Sequence, residues 1–246
     1  MRRTEFLELF RYYAAAMAKA GVDVRLGKGF TADHARKGGY DAVFLATGAE
    51  SLVPDIPGMD APHVVQAWDV LKGTARTGRN VVVVGGGAVG LETGIYLAKK
   101  GALTPQQLYF LMLHDAESPE TLKELMGRGA KKVTVIEMTP ELGRDIGRST
   151  RWTVLKKTKL YGVTLLNNTK LLEVRPDRVV VRDKADEIVE IPADTVVMAV
   201  GARPANRLYR EIEAMLPGRV RVIGDAESAS NAAGAVEAGF RAAMEL

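Results

Sequence analysis

The sequence lacks cysteine altogether in its 246 residues. This absence excludes disulfides, thiolate zinc sites, cysteine-held iron–sulfur clusters and redox-active cysteine pairs from the sequence itself, and it favours a reducing, cytoplasmic location. Long apolar runs are missing too. The longest, such as 196–200 and 42–46, have the length of a strand and fall far short of the ~20 residues that a membrane span needs. We therefore expect a soluble chain with no membrane partner.

Charge of one sign is also scarce, because 34 Lys and Arg stand against 30 Asp and Glu, spread evenly along the chain. Without a basic stripe interleaved with aromatic residues, we expect no nucleic-acid partner. His34, His63 and His114 are scattered and match no catalytic pattern of acid and nucleophile, so we interpret them as ordinary surface or loop residues. The sequence contains no metal-ligand spacing, and we assign neither a metal site nor a catalytic residue.

The distribution of apolar residues predicts an α/β fold. Helices are predicted over 4–20, 91–100, 105–115, 119–127, 148–160, 206–215 and 231–245, and strands over 22–26, 42–46, 81–84, 133–137, 163–166, 195–200 and 219–223. Between them, residues 171–174, 178–182 and 187–191 alternate in polarity, which is typical of short antiparallel strands. The stretch 50–79 is punctuated by Pro and Gly, and we interpret it as a connection that contains a domain boundary.

A GxGxxG motif occupies residues 85–90, directly after the apolar strand Val81–Val84 and before a helix. Gly85 would permit the tight turn, Gly87 the approach of a pyrophosphate, and Gly90 close packing of helix on strand. The free amides at Ala88 and Val89 would then hold the phosphates. In this context the motif predicts dinucleotide binding, and the alternative is a glycine turn that only packs tightly.

Glu137 ends the next predicted strand of this unit, where an acidic residue is expected to bind the ribose hydroxyls. It lies farther along the chain than the usual ~20 residues, because residues 102–127 form a predicted helical insertion. A carboxylate there would repel a 2′-phosphate and favour NAD(H) over NADP(H). Two alternatives stay open: a solvated Glu at a strand end, and attraction of that phosphate by Arg144, Arg148 or Arg151.

Three further predicted strands end in small residues, which suits a strand that meets a flat cofactor. The first runs into Thr47 and Gly48, the second into Gly201 and the third into Gly224 and Asp225.

With the glycine motif, these segments give the sequence a resemblance to the flavoproteins with two dinucleotide-binding domains, the pyridine-nucleotide oxidoreductases. More narrowly, it resembles the C-terminal half of the NADH:flavin oxidoreductase group, which includes 2,4-dienoyl-CoA reductase, enoate reductases and trimethylamine dehydrogenase. The resemblance implies a Rossmann-like NAD(P)-binding domain with a three-stranded antiparallel crossover sheet, inserted in an incomplete FAD-binding-like domain. The corresponding ranges are 76–207 for the former, and 1–75 and 208–246 for the latter.

By the same resemblance, Gly224 and Asp225 would lie against the flavin ribityl and pyrophosphate, while Thr47, Gly48 and Gly201 would line the cofactor clefts. The family's own FAD-domain glycine motif is absent, so we interpret the chain as a fragment or a degenerate chain. Its parent would also carry a barrel with FMN and an iron–sulfur cluster. We expect NAD(H) binding by the chain alone, with FAD held weakly or not at all.

These considerations predict the NAD(P)H-binding portion of a flavin-dependent oxidoreductase, which delivers hydride from NADH to FAD in the complete enzyme. One alternative is a non-catalytic dinucleotide-binding or electron-transfer subunit that needs a flavin-bearing partner, and another is a structural domain that binds nothing. Without the missing elements, the strand 42–46 is expected to lack a neighbour. Such an apolar edge favours pairing with a second copy, so a homodimer or an altered N-terminal packing is predicted.

Overall fold

A computed structural model of the chain describes residues 5–246 and confirms the α/β fold. The helices are α1 (Glu5–Lys19), α2 (Ala32–Gly38), α3 (Ala67–Lys72), α4 (Ala88–Ala98), α5 (Pro105–Leu113), α6 (Pro119–Gly127), α7 (Arg148–Leu160), α8 (Leu208–Met215) and α9 (Ala232–Met244). The strands are β1 (Val43–Leu45), β2 (Ala49–Ser51), β3 (Val64–Gln66), β4 (Asn80–Val84), β5 (Lys132–Ile136), β6 (Thr164–Leu166), β7 (Lys170–Arg175), β8 (Arg178–Arg182), β9 (Ile188–Pro192), β10 (Thr195–Met198), β11 (Ala202–Pro204) and β12 (Val220–Val222).

Two compact units make up the chain. The first contains the described residues up to Glu50 together with Arg203–Leu246, and the second is Ser51–Ala202. We refer to them as the outer unit and the central unit. The functional domain limits expected from the sequence, at residues 75 and 207, stay a prediction.

The central unit is built on a parallel sheet with the strand order β3-β10-β4-β5-β6. Strand β4 lies in the middle, with Val83 opposite Val197 of β10 on one side and Val135 of β5 on the other. Its four valines are all buried and belong to two different cores, Val81 and Val83 to one and Val82 and Val84 to the other. A strand covered on both faces has no polar positions, which explains the uninterrupted apolar run.

The two cores lie on opposite faces of this sheet. On one face, Leu91 and Leu97 of α4 pack with the valines of β4 and β5. On the other, Val179 and Val181 of β8 pack against Val82 and its neighbours. These residues come from the predicted antiparallel sheet, which forms in the order β7-β8-β9. The sheet that carries the glycine motif is therefore fixed from both sides.

Helices α5 and α6 form an insertion between α4 and β5. Thr104 and Ser118 cap their N termini through hydroxyl oxygens that accept backbone N–H groups. The two ends of this insertion lie close together, because the amide of Ala130 donates to the carbonyl of Lys100 at 2.7 Å. Register between β4 and β5 runs unbroken over all five residue pairs, so the insertion leaves the sheet intact.

The outer unit has its own small core of Ala35, Val43, Leu45, Ile212 and Val220. Strand β1 pairs in parallel with β12. The expectation that the strand 42–46 would lack a neighbour is therefore wrong: β12 supplies one, from the far end of the sequence. The predicted homodimer, which had rested on that unpaired edge, stays a prediction without this support.

Two other expectations fail locally. Residues 22–26 form no strand; Leu26 is 87% exposed, and no described strand pairs with this stretch. The connection 50–79 contains β3, which adds an edge to the parallel sheet, followed by α3. In the part of the chain that the structure describes, no helix combines the length and apolar character needed to cross a membrane.

Candidate functional site

The glycine motif forms a tight turn between β4 and α4, at the carboxyl edge of the parallel sheet. Gly85 has φ +109°, and a Cβ there would lie 2.3 Å from the carbonyl oxygen of Ala199. At Gly90 a Cβ would lie 1.8 Å from the carbonyl oxygen of Gly85. Both positions therefore require glycine. Gly85 requires it because of its positive φ, and Gly90 because α4 approaches the turn too closely for a Cβ.

Gly86 stands at a position where the motif allows any residue, but its surroundings leave no room for a side chain. A Cβ on it would lie 2.5 Å from Cδ2 of Leu142 and 2.7 Å from Cβ of Glu137. The motif alone could not reveal this, because both neighbours come from chain more than fifty residues away. The turn is thus enclosed on one side by the segment that follows β5.

Glu137 lies directly after β5, next to the turn, as its position at a strand end predicted. Its Oε2 accepts the amide of Gly86 at 2.6 Å, and its Oε1 accepts the amide of Thr139 at 2.8 Å. The carboxylate is thus bound to the backbone of the turn, and its role toward a ribose stays a prediction. A carboxylate has about four acceptor positions, so two remain for a ligand.

Residues 138–147, here called the β5–α7 loop, close over the glycine turn. The amide of Gly143 donates to the carbonyl of Gly86 at 2.7 Å. Asp145 reaches the first residue of α4: the amide of Ala88 donates to its Oδ1 at 2.9 Å and to its Oδ2 at 3.0 Å. Sequence reasoning missed Asp145, because no motif spacing connects it with the turn.

A cavity of about 380 Å³ opens between the turn and this loop, lined by Gly86, Gly87, Glu137, Thr139, Glu141, Arg144 and Asp145. Its lining carries three carboxylates and one guanidinium. Of the three arginines considered for a 2′-phosphate, Arg144 lines the cavity, whereas Arg148 and Arg151 do not. Arg151 instead pairs with Glu141.

The predicted residue Gly201 also belongs to the central unit. It has φ +104°, and no atom lies within 4 Å of the position of a Cβ. The positive φ therefore favours glycine at this position, and the space beside the chain is open. Its carbonyl accepts the amide of Leu52 at 3.1 Å.

Thr47 and Gly48 lie in the outer unit. The Thr47 hydroxyl donates to the carbonyl of Ala205, and the carbonyl of Gly48 accepts the amide of Ala205 at 3.0 Å. Gly48 has φ +74° with open space around its Cβ position. Nearby, Arg203 and Arg207 donate to Glu50, which holds the pKa of that carboxyl below its ordinary value, Arg207 being the larger cause.

Gly224 and Asp225 form a single 3₁₀ turn after β12, also in the outer unit. Gly224 has φ +61°, and a Cβ would lie 3.3 Å from that of Ala235 in α9. Oδ1 of Asp225 accepts the amide of Ser230 at 3.0 Å. The side chain thus orders the approach to α9, and its role toward a flavin stays a prediction.

The sequence as a whole matches a known family. The chain matches the pyridine nucleotide-disulphide oxidoreductase family over residues 5–234. It belongs to that family. Members bind FAD and pyridine nucleotides in general, and the α/β fold with its glycine turn is what membership leads us to expect.

Relatives and solved structures agree with this assignment. A metal reductase of Desulforamulus reducens is 40% identical over 91% of the chain and 34% of the relative. An NADH oxidase of Thermoanaerobacter brockii is 32% identical over 94% of the chain and 32% of the relative. A solved 2-naphthoyl-CoA reductase has the same fold, with a TM-score of 0.79 and 23% identity over 98% of the chain and 32% of that structure. The chain thus spans about a third of the length of each.

Proposed function

We propose that the cavity beside the glycine turn binds NAD(H), and that the chain is the nucleotide-binding portion of a flavin-dependent oxidoreductase of the NADH:flavin oxidoreductase group. In the complete protein it would deliver hydride from NADH to FAD. The observation that carries the proposal is the cavity itself, which places the N terminus of α4, the glycine turn and the Glu137 carboxylate around one space. The name of the Thermoanaerobacter relative supports NADH as the nucleotide.

The residues present fit a dinucleotide. Gly85 and Gly90 bring backbone close to backbone without side chains, and Ala88 and Val89 are the first two residues of α4. Their amides and the helix dipole would hold the pyrophosphate. Glu137 would accept hydrogen bonds from the ribose hydroxyls through the acceptor positions that Gly86 and Thr139 leave free.

We infer a preference for NAD(H) over NADP(H) from the charges around the cavity. Glu137 is the carboxylate assigned to the ribose, so its charge would lie beside a 2′-phosphate. Glu141 and Arg151 are paired and offset one another, so neither adds to this preference. A 2′-phosphate would bring roughly two further negative charges into this surrounding, and like charges at short range oppose one another.

The nicotinamide and the flavin would supply the hydride chemistry. The part of this chain is to hold the nucleotide in a fixed orientation, and hydride transfer requires no side chain to act as acid or base. We therefore assign positions to the binding residues and no catalytic residue.

The single GxGxxG motif of the sequence is compatible with a second form of the proposal. The chain would then be a dinucleotide-binding or electron-transfer subunit that works beside a flavin-bearing partner. Both forms require the same nucleotide site, and they differ in whether flavin belongs to the same polypeptide. Isolation of the native complex under mild conditions, followed by mass spectrometry of its chains, separates them.

Calorimetric titration of the purified chain with NADH and, in parallel, NADPH tests the proposed site. We expect saturable binding of both, with NADH at least about tenfold tighter, equivalent to about 1.4 kcal/mol. The Glu137→Gln variant should lose most of this difference, because the amide no longer repels a phosphate. If the wild-type chain, this variant and the Asp145→Ala variant bind neither nucleotide, the glycine turn is structural and the proposal is wrong.

A further inference from the structure

We propose that Asp145 gates the nucleotide site: its carboxylate occupies the pyrophosphate position of the glycine turn and must leave when a dinucleotide binds. This inference rests on the proposed function and adds a regulatory residue to it. Asp145 is not part of the glycine motif and does not take the ribose position, which belongs to Glu137.

The first observation is the hydrogen bond at the helix terminus. The amide of Ala88, first residue of α4, donates to both oxygens of Asp145, at 2.9 and 3.0 Å. This amide is one of the two that the proposed function assigns to the pyrophosphate. One N–H directed between two carboxylate oxygens cannot simultaneously serve a phosphate oxygen, so the two anions compete for the same donor.

The second observation concerns the space that the same carboxylate fills. A Cβ built on Gly87 would lie 3.1 and 3.2 Å from the two oxygens of Asp145. The room in front of Gly87, which the motif reserves for the close approach of a phosphate, is therefore filled by this carboxylate. The Asp145 carboxylate thus blocks both the Ala88 amide and the space in front of Gly87.

Electrostatics make the contact stable and also reversible. A carboxylate at a helix N terminus is favoured by the dipole of α4, which is the same interaction that a pyrophosphate would use. Asp145 stands between Gly143, with φ +64°, and Gly147, which precedes α7. The loop remains anchored through the amide of Gly143 on Gly86, so rotation of one side chain suffices to clear the position.

A competing side chain lowers the apparent affinity by the fraction of molecules in which the position is free. Removing the carboxylate should therefore tighten NADH binding, whereas removal of a group that only supports the turn should weaken it. The sign of the change separates gating from support. For a contact populated in nine molecules of ten or more, the gain is about tenfold or larger.

The test is titration of NADH and of inorganic pyrophosphate into the wild-type chain and the Asp145→Ala and Asp145→Asn variants. Asp183→Ala is the matched control, because Asp183 also accepts backbone amides, those of Ala185 and Glu187, but in the hairpin between β8 and β9. Asp145→Asn retains an oxygen for the Ala88 amide, so it guards against a turn that collapses without its cap. Circular dichroism establishes that each variant is folded.

We expect Asp145→Ala to bind both ligands at least about tenfold more tightly, Asp145→Asn to fall between it and the wild type, and Asp183→Ala to match the wild type. Unchanged or weaker binding in folded Asp145→Ala, beside measurable binding by the wild type, overturns the gate and leaves the proposed function standing. Absence of binding by every protein overturns both. Binding by the variants alone supports both.

Discussion

At the scale of single residues, the glycine turn is the part of the site that the sequence predicts best. A GxGxxG motif after an apolar strand specifies a tight turn in which side chains do not fit. Gly85 and Gly90 lie where a Cβ would collide with a backbone carbonyl oxygen, as the motif requires. Glu137 follows from the same pattern, since it ends the next strand. Asp145 could not be predicted, because its contact with Ala88 depends on how a ten-residue loop folds back. A local sequence pattern carries no information about how this loop folds back onto the glycine turn.

The Gly90→Ala substitution should destabilise the chain by about 2–3 kcal/mol, in the upper range of overpacking costs. Its Cβ would lie 1.8 Å from the carbonyl oxygen of Gly85, which is backbone and can yield only if α4 moves away from β4. Urea denaturation followed by circular dichroism measures the change.

Gly147→Ala is the matched control for that experiment. It lies in the same unit, its φ is −53°, and the nearest atom to its Cβ position is Oγ1 of Thr150 at 3.8 Å. Gly147 is the N-cap of α7, where alanine is less favourable than glycine, so we expect a loss of at most about 1 kcal/mol, smaller than that of Gly90→Ala. Equal effects of the two substitutions would show that the turn is less tightly packed than the structure indicates.

At the scale of elements, strongly patterned segments were predictable and short ones were not. Residues 148–160 form a helix with the predicted limits, and the three antiparallel strands lie within a residue or two of their expected positions. The strand expected at 22–26 failed because alternation of Val and Leu indicates a strand only where a partner exists. Conversely, Val64–Gln66 is too short for a periodic signal, and it becomes a strand because β10 offers it an edge.

Replacement of residues 104–127 by a short Gly-Ser linker should preserve the central unit. No residue of α5, all of which the structure describes, is buried, Tyr109 is 69% exposed, and α6 buries only Leu122. Burial of one leucine contributes about 2 kcal/mol, and Leu108, Leu111 and Leu125 of the segment are half-buried, so we expect a loss of about 2–4 kcal/mol in the free energy of unfolding. The insertion lines no part of the cavity, and NADH affinity should be unchanged.

Urea denaturation and the NADH titration check this variant together. A variant that fails to fold would show that the insertion stabilises β5 beyond its visible contacts. A folded variant with weakened NADH binding would place part of the nucleotide site on α5 or α6.

At the scale of the whole molecule, the chain has one glycine motif, although members of its family bind both FAD and a pyridine nucleotide. The sequence contains a single GxGxxG, in the central unit. Gly224 and Asp225 form a turn after β12 that the resemblance assigns to a flavin, without a second glycine turn to hold a pyrophosphate. The purified chain should therefore lack the visible absorbance of bound flavin and show no saturable binding of added FAD at micromolar concentration.

Ultraviolet–visible spectroscopy of the purified chain, before and after addition of FAD and gel filtration, checks this expectation. Riboflavin-replete expression excludes a shortage of cofactor as the cause of a colourless protein. A flavin spectrum that survives gel filtration would contradict the expectation and would place a complete FAD site within the chain.

The pairing of β1 with β12 also sets the order in which the two units can be completed during synthesis. Val43–Leu45 is made well before its partner Val220–Val222, because the whole central unit lies between them in the sequence. The central unit is continuous in sequence and has its own cores, so it can fold while β1 still waits for β12. The outer unit is therefore completed after the central unit, and until β12 is made the apolar side chains of β1 are a natural substrate for chaperones.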